Sequence, residues 1–501
     1  MNWSRRPIIY EINTTVWLNE LTRDYHQRIN LSNVPSKVWD AIAEWPLDAV
    51  WLMGVWQRSP LGQAIALDHP DLAQEFVITL PDFVPEDNVG SAYCIRDYRV
   101  DEALGGEVGL SIARQALADR GIRLILDFVP NHCAQDHPWV GANPDYFIQA
   151  KQQDYVDHPS AYFQSGEYFI ARGRDPHSPA WPDVAQLNLF SRGLRDALIQ
   201  TLQTISKQCD GLRCDMAMLV LNEVFEKTWG RAASEDTPEE FWSEAMAAIR
   251  KEYPAFLMIA ECYWDTEWQL QQLGFDYCYD KRLYDRLIQG SAESIRTHIS
   301  AELDYQDKLI RFTENHDEVR ANWAFDPVKG RAAAIIMASL PGAKLFHEGQ
   351  FEGRKMRVPV FLRRRPDEIE NKELAGFYLD VLKLVDDPVL RKGDWTLLDC
   401  KGWPENPSHQ NLLAWAYRLD EEYRLIAVNY SPDTSQGIIK MPWDSLRGKS
   451  IYLNDAMHEQ SYCRQGSELY DDGLFIELLP WAAHWFSFSS FRQTRKYSTR
   501  I

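Results

Sequence analysis

Positive charge is scarce in this chain: 53 Lys and Arg against 73 Asp and Glu leave a formal net charge of −20. That excludes nucleic acid and anionic membranes as expected partners, because both are held by a basic face. Long apolar runs are missing too, and without one of about 18 residues no membrane-spanning helix is expected. The eight cysteines (94, 133, 209, 214, 262, 278, 400 and 463) contain no C-x-x-C pair. They read as free, mostly buried thiols of a reducing compartment, not as a zinc site or a disulfide frame. Met1-Asn2-Trp3-Ser4-Arg5-Arg6 is followed by no secretory apolar core, which makes the cytoplasm the expected location. No P-loop, H-E-x-x-H, G-x-S-x-G elbow or dinucleotide fingerprint occurs. Internal repeats and low-complexity segments are also absent.

What the chain does contain is a series of short apolar runs separated by helical segments. Ile8–Ile12 and Ala49–Met53 read as the first two strands, with a helix over 36–45 before the second. A long loop is expected over 54–104, holding Tyr93, Asp97 and Tyr98. A helix over 107–120 then stops at Gly121. The stretch 122–129 is nearly all apolar, as in a parallel strand buried on both faces. From Asn131 to Arg192 the periodicity fails in an insertion rich in Pro, His, Asp and aromatics, of the kind usually tied to function. A helix over 193–207 restores the alternation. Thr237-Pro238-Glu239-Glu240 predicts another helix start, with cap, N1 proline and acidic first turn. Further strands are expected at 211–215, 256–261, 275–278, 309–313 and 343–347, with a helix over 331–340 between the last two. Eight strands alternating with helices over about 390 residues predict a (β/α)8 TIM barrel. After Asp394 come strands at 412–418, 423–430 and 473–478 with no helix between them, predicting a separate antiparallel β-sandwich domain. The expected parcelling is a barrel over 1–131 and 193–390, an inserted domain over 132–192, a C-terminal domain over 391–491 and a basic tail over 492–501.

The polar clusters fall at strand ends. Gly211-Leu212-Arg213-Cys214-Asp215 is the most telling. Alternation puts Arg213 and Asp215 on one face of a strand, where the guanidinium is expected to lower the carboxyl pKa, as a nucleophile at neutral pH requires. Asp127-Phe128-Val129-Pro130-Asn131-His132 ends the third strand, Glu261 the fifth, and Asn315-His316-Asp317 follows the seventh. Barrel strand ends converge on one mouth, where the active site of such a fold sits. Paired carboxylates with no metal or phosphate motif suggest glycoside chemistry: one attacks the anomeric carbon and a protonated partner donates to the leaving oxygen. The 19 Trp and 22 Tyr suit sugar faces, although most of them are expected in the core.

These four segments resemble the signature regions of the α-amylase family, glycoside hydrolase family 13, in residue type, order and spacing. The resemblance implies a barrel, an inserted domain B after the third strand and a C-terminal β-domain. It implies Asp215 as nucleophile, Glu261 as general acid/base and Asp317 as the carboxylate that holds sugar hydroxyls. Arg213 would orient Asp215, and Asp127 would support the site. His132 and His316 would bind hydroxyls of the glucose unit stacked on Tyr93. Asp183-Val184-Ala185-Gln186-Leu187-Asn188 resembles the family's short domain B motif in an atypical version. No cofactor is required by the resemblance. Asn131 sits where many members bind a structural calcium, but the remaining ligands are not evident, and a loop-capping Asn is at least as good a reading.

The departures bear on specificity. Many α-amylases carry Lys-His after the nucleophile, where this chain has Met218 and Leu219, and exo-acting α-glucosidases often place Asp after the platform Tyr, where this chain has Cys94. The resemblance therefore implies a retaining hydrolase of α-1,4-glucosidic bonds acting on short maltooligosaccharides, with an α-glucan as its partner molecule. The alternatives are a transglycosylase or isomerase of the same family, of glucanotransferase or trehalose-synthase type, and a catalytically inactive binding protein.

Overall fold

The computed structural model describes residues 3–233 and 237–490. Its central element is a closed barrel of eight parallel strands: β1 (Ile8–Asn13), β2 (Ala49–Met53), β3 (Arg123–Phe128), β4 (Gly211–Cys214), β5 (Leu257–Ala260), β6 (Tyr277–Tyr279), β7 (Leu309–Arg311) and β8 (Ala343–His347). Each pairs with its sequence neighbour, and β1 closes on β8 through Ile8↔Lys344 to Glu11↔His347. All eight lie where the apolar runs predict them. Almost every residue in them is buried, because helices cover one side and the barrel interior is packed on the other.

The stretch 54–104 is not a loop. It holds a small antiparallel pair, Trp56–Arg58 with Ile95–Val100, and two short helices, Pro60–Asp68 and Pro70–Thr79. Ser59 caps the first helix by accepting from Gly62 N at 2.8 Å, and each helix has a proline in its opening turn. Their apolar residues are not gathered on one strongly periodic face. They close instead on a local core of Ala66, Phe76, Leu80 and Leu362. The helix expected from Thr237 begins at Phe241. Pro238 and Glu240 are used otherwise: the Pro238 carbonyl accepts from Asn222 Nδ2 at 2.7 Å, and Glu240 accepts from Asn222 N.

Within 132–192, His132–Ala134 pairs antiparallel with Val184–Gln186, and a three-stranded sheet forms from Gln149–Ala150, Tyr168–Ala171 and Tyr162–Ser165. Chain contacts divide the molecule into two compact units. The first comprises Met1–Lys281, Asp307–Trp323 and Gly342–Gly376, and contains the whole barrel. The second comprises Arg282–Gln306, Ala324–Pro341 and the chain from Phe377 onward. It contains a six-stranded antiparallel sheet in the order Asp394–Leu398, Leu412–Leu419, Glu422–Asn429, Ala483–Ser490, Ser450–Asp455, Gln460–Gln465. A three-stranded sheet (Cys400–Lys401, Ser435–Ile439, Leu474–Leu478) supplies further residues to a shared core that includes Leu425, Ile439, Leu453 and Ile476. The helix Pro327–Ser339 is buried along its alanine-rich second half, and Tyr417 Oη donates to the Ser339 carbonyl at 2.8 Å. The predicted tail over 492–501 lies outside the described residues. Among those described, no helix is long and apolar enough to cross a membrane.

Candidate active site

At the end of β4 the chain makes a left-handed step. Asp215 N still donates to the Phe128 carbonyl at 2.8 Å, continuing the barrel ladder, but Met216 adopts φ 43°, ψ 44°. A non-glycine residue seldom takes that conformation without a local reason. Here the turn aims Met216 N at Glu261 Oε2, 2.6 Å away. A backbone amide of one strand end is thus fixed on the carboxyl of the next. Glu261 also receives the Tyr263 hydroxyl on Oε1 at 2.8 Å.

Arg213 ties the cluster together. Its Nη1 donates to Asp215 Oδ1 at 2.7 Å, and its Nη2 is in ion-pair contact with Glu261 Oε2 at 2.6 Å. Asp127 and Asp317 each lie 3.9 Å from the same guanidinium. The rings of Trp51, Tyr93 and Tyr279 surround it at 5.1–5.7 Å, a cation–π environment for a fully buried charge. Gly54 N and Trp56 Nε1 hold Asp127 through its carboxylate and its carbonyl.

His316 faces a carboxylate on each ring nitrogen: Glu11 at Nδ1, and Asp317 at Nε2, 2.9 Å away. Both nitrogens then act as donors, which is the imidazolium form. Burial by itself disfavours that charge, but Asp317 and Glu11 outweigh it and push the pKa up to about 10. His132 has no such partners, and burial takes it down to about 4, so its ring is neutral.

Arg213 does pull the Asp215 pKa down, as expected, but the net shift is upward. Burial is the larger effect, so the carboxyl is raised to about 6 despite the guanidinium. Glu261 is raised further, to about 7: burial leads, Arg213 opposes it, and Asp215 and Asp317 add to the rise.

Tyr93, His132, Asp215, Glu261 and Asp317 line a cavity of about 430 Å³, with Trp181, Met216 and Tyr263 among its walls. Asp127, Arg213 and His316 are almost fully buried and are not among the lining residues. Met218 and Leu219 are buried in the turn Ala217–Val220 and do not line the cavity either. Three participants escaped the sequence reading. Glu11 lies 305 residues from the histidine it touches, and Tyr279 reaches Arg213 Nε at 3.3 Å from a strand with no motif. Tyr263, two residues past Glu261, had a positional signal but no type that demanded notice.

The residues around Asn131 do not suit a cation. Gln186 Nε2 donates to the Asn131 carbonyl (2.9 Å), to Asn131 Oδ1 (3.1 Å) and to the Leu187 carbonyl (3.0 Å). An amide therefore occupies the oxygens a calcium would need, and it brings no carboxylate with it. Among the described residues the group with metal-ligand spacing is Asp455, His458 and His484, in the second compact unit.

A family model described as the α-amylase catalytic domain matches residues 40–372, and the chain belongs to that family. The chain is 24% identical over 388 residues to α-amylase MalA of Haloarcula japonica, covering 74% of this chain and 52% of that protein. It is 23% identical over 392 residues to α-amylase 2 of Dictyoglomus thermophilum, covering 72% of this chain and 62% of that one. The chain thus spans about half to three-fifths of the length of these curated relatives. Among solved structures, a noncanonic maltogenic α-amylase AmyB from Thermotoga neapolitana superposes with a TM-score of 0.69 at 17% identity, over 98% of this chain and all of that one.

Proposed function

We propose that the protein is a retaining glycoside hydrolase that cleaves α-1,4-glucosidic bonds in short maltooligosaccharides. The observation that carries this is the single Arg213 guanidinium shared by Asp215 and Glu261, two carboxyls that line one pocket. One guanidinium can bridge two carboxyls only if they stand close, which favours the separation of about 5–5.5 Å of a retaining pair over the roughly 6.5 Å or more of an inverting pair.

In this reading Asp215 attacks the anomeric carbon while Glu261 gives its proton to the departing glycosidic oxygen. A covalent glycosyl-enzyme forms and the leaving sugar diffuses away. Glu261, now ionised, takes a proton from water, the hydroxide attacks the anomeric carbon, and Asp215 is released. Asp317 holds hydroxyls of the same ring, with His316 fixing its position, while Tyr93 and His132 line the subsite. Arg213 and Asp127 act from behind it. No organic cofactor enters any step. Segment 132–192 is taken as the domain that walls the pocket, through Trp181, and 391–491 as a separate β-domain.

The support for short substrates is the cavity itself. Leu72, from the helix pair of the 54–104 segment, and Phe361 narrow it, and Met218 and Leu219 are withdrawn from any leaving-side sugar. Proton NMR of maltotriose digestion tests the proposal. A first product in the α-configuration, with glucose and maltose as end products, is expected. A β-configured first product would overturn the retaining mechanism, and oligomers longer than the substrate would assign the enzyme to transfer instead.

A further inference from the structure

Two polar atoms at the pocket wall are buried and make no hydrogen bond: Nδ1 of His69 and Oδ2 of Asp183. Buried polar groups are nearly always paired, and an unpaired one is costly to the fold. The backbone of each residue is nevertheless fixed. His69 is the junction between helices Pro60–Asp68 and Pro70–Thr79, with its backbone fixed as the cap of both, and its side chain makes no capping bond. Asp183 leads into the strand Val184–Gln186, and the Cys94 thiol donates to its main-chain carbonyl at 3.2 Å. Only 5% of Asp183 is exposed. Burial raises its carboxyl to about 6, with His69 among the groups that pull it back down, and both residues line the same cavity.

We propose that Asp183 and His69 form a hydroxyl-recognition point for a glycosyl ring of the substrate, distinct from the Asp215, Glu261 and Asp317 cluster. The chemistry selects the ligand. A carboxylate oxygen and an imidazole nitrogen match the donor and acceptor of adjacent sugar hydroxyls, while Leu72, Trp181 and Phe361 offer apolar faces to the ring. Four carboxyls in one cavity exclude an anionic ring. Because His69 comes from the 54–104 segment and Asp183 from the 132–192 insertion, the point exists only when both fold against the barrel mouth. It completes the pocket for a neutral oligosaccharide of few units. The inference rests on reading this cavity as an α-glucan site.

Calorimetric titration of maltotriose into the E261Q protein, which binds without turnover, provides the test. Adding D183A is expected to weaken binding about tenfold or more, adding H69A by several-fold, and adding D183N by less than D183A. In the active enzyme D183A should raise KM about tenfold with little change in kcat. Its thermal midpoint should fall little, since Asp183 Oδ2 makes no hydrogen bond and the Cys94 thiol keeps its bond to the main-chain carbonyl. A purely structural role would lower the midpoint and kcat together, and that result overturns the proposal. So does unchanged maltotriose affinity in both D183A and H69A. If E261Q itself binds no maltotriose and the native enzyme cleaves none, the α-glucan reading fails and takes this inference with it. Tight binding by E261Q that is indifferent to both D183A and H69A sinks the inference alone.

Discussion

Asp215 and Glu261 share a guanidinium, yet their environments set them apart. Burial raises both carboxyls, Asp215 to about 6 and Glu261 to about 7. The proposed mechanism requires Asp215 ionised and Glu261 protonated, so the rate should rise as pH climbs through the first value and fall as it climbs through the second. The pair titrates as a unit, and the profile reports the pair and not either residue. A bell-shaped kcat/KM with its maximum between about pH 6 and 7 is expected; a plateau extending beyond about pH 8 would remove Glu261 from the acid role. Glu261→Gln keeps the shape and the Met216 N–H contact but has no acidic proton. Hydrolysis of maltotriose should fall by about 10²–10⁴, while activated aryl glucosides, whose leaving groups need little protonation, should be partly spared. Equal losses on both substrates would contradict the assignment. The carboxylates and their histidines were legible in the sequence because their types are rare at strand ends. The sign of the Asp215 shift was not, because burial acts through every surrounding element and leaves no trace in a five-residue motif.

At the scale of the element, β4 shows how tightly the site is tied to the barrel. Gly211 opens the strand against Leu257 of β5, and a Cβ there would lie 2.8 Å from Leu257 Cβ and 3.0 Å from its carbonyl oxygen. Gly211→Ala must push the two strands apart at the point that sets the register of Arg213 and Glu261. It should destabilise the first compact unit by about 1–3 kcal/mol and lower kcat as well, measured by urea unfolding beside initial rates; unchanged values in both would show that the strands can yield. The eight barrel strands were readable because buried parallel strands are continuous apolar runs. The helices of 54–104 were not, since their nine and ten residues close on a local four-residue core and carry no clear apolar period. Glu240 misled for a related reason: its carboxylate pairs with Asn222 N, a partner 18 residues away.

For the whole molecule, the consequence is a mode of attack on long glucans. Internal cutting needs grip on several sugars either side of the bond, and Met218 and Leu219 are 0% and 3% exposed and cannot supply it. Losing such contacts costs roughly 1–3 kcal/mol, about 5- to 150-fold. During amylose digestion, reducing ends should appear well before iodine colour is lost; rapid loss of colour with few new ends would refute this. The sequence by itself determined the barrel, its strand positions, the antiparallel C-terminal domain and the family, because apolar periodicity and strand-end residue types are local properties of the chain. Only the tertiary structure decided which groups face the cavity and which stand behind it, that His316 is clamped between Glu11 and Asp317, and that His69 and Asp183 line one cavity. Those are contacts between segments up to hundreds of residues apart, and folding creates both the proximity and the burial that give them their chemistry.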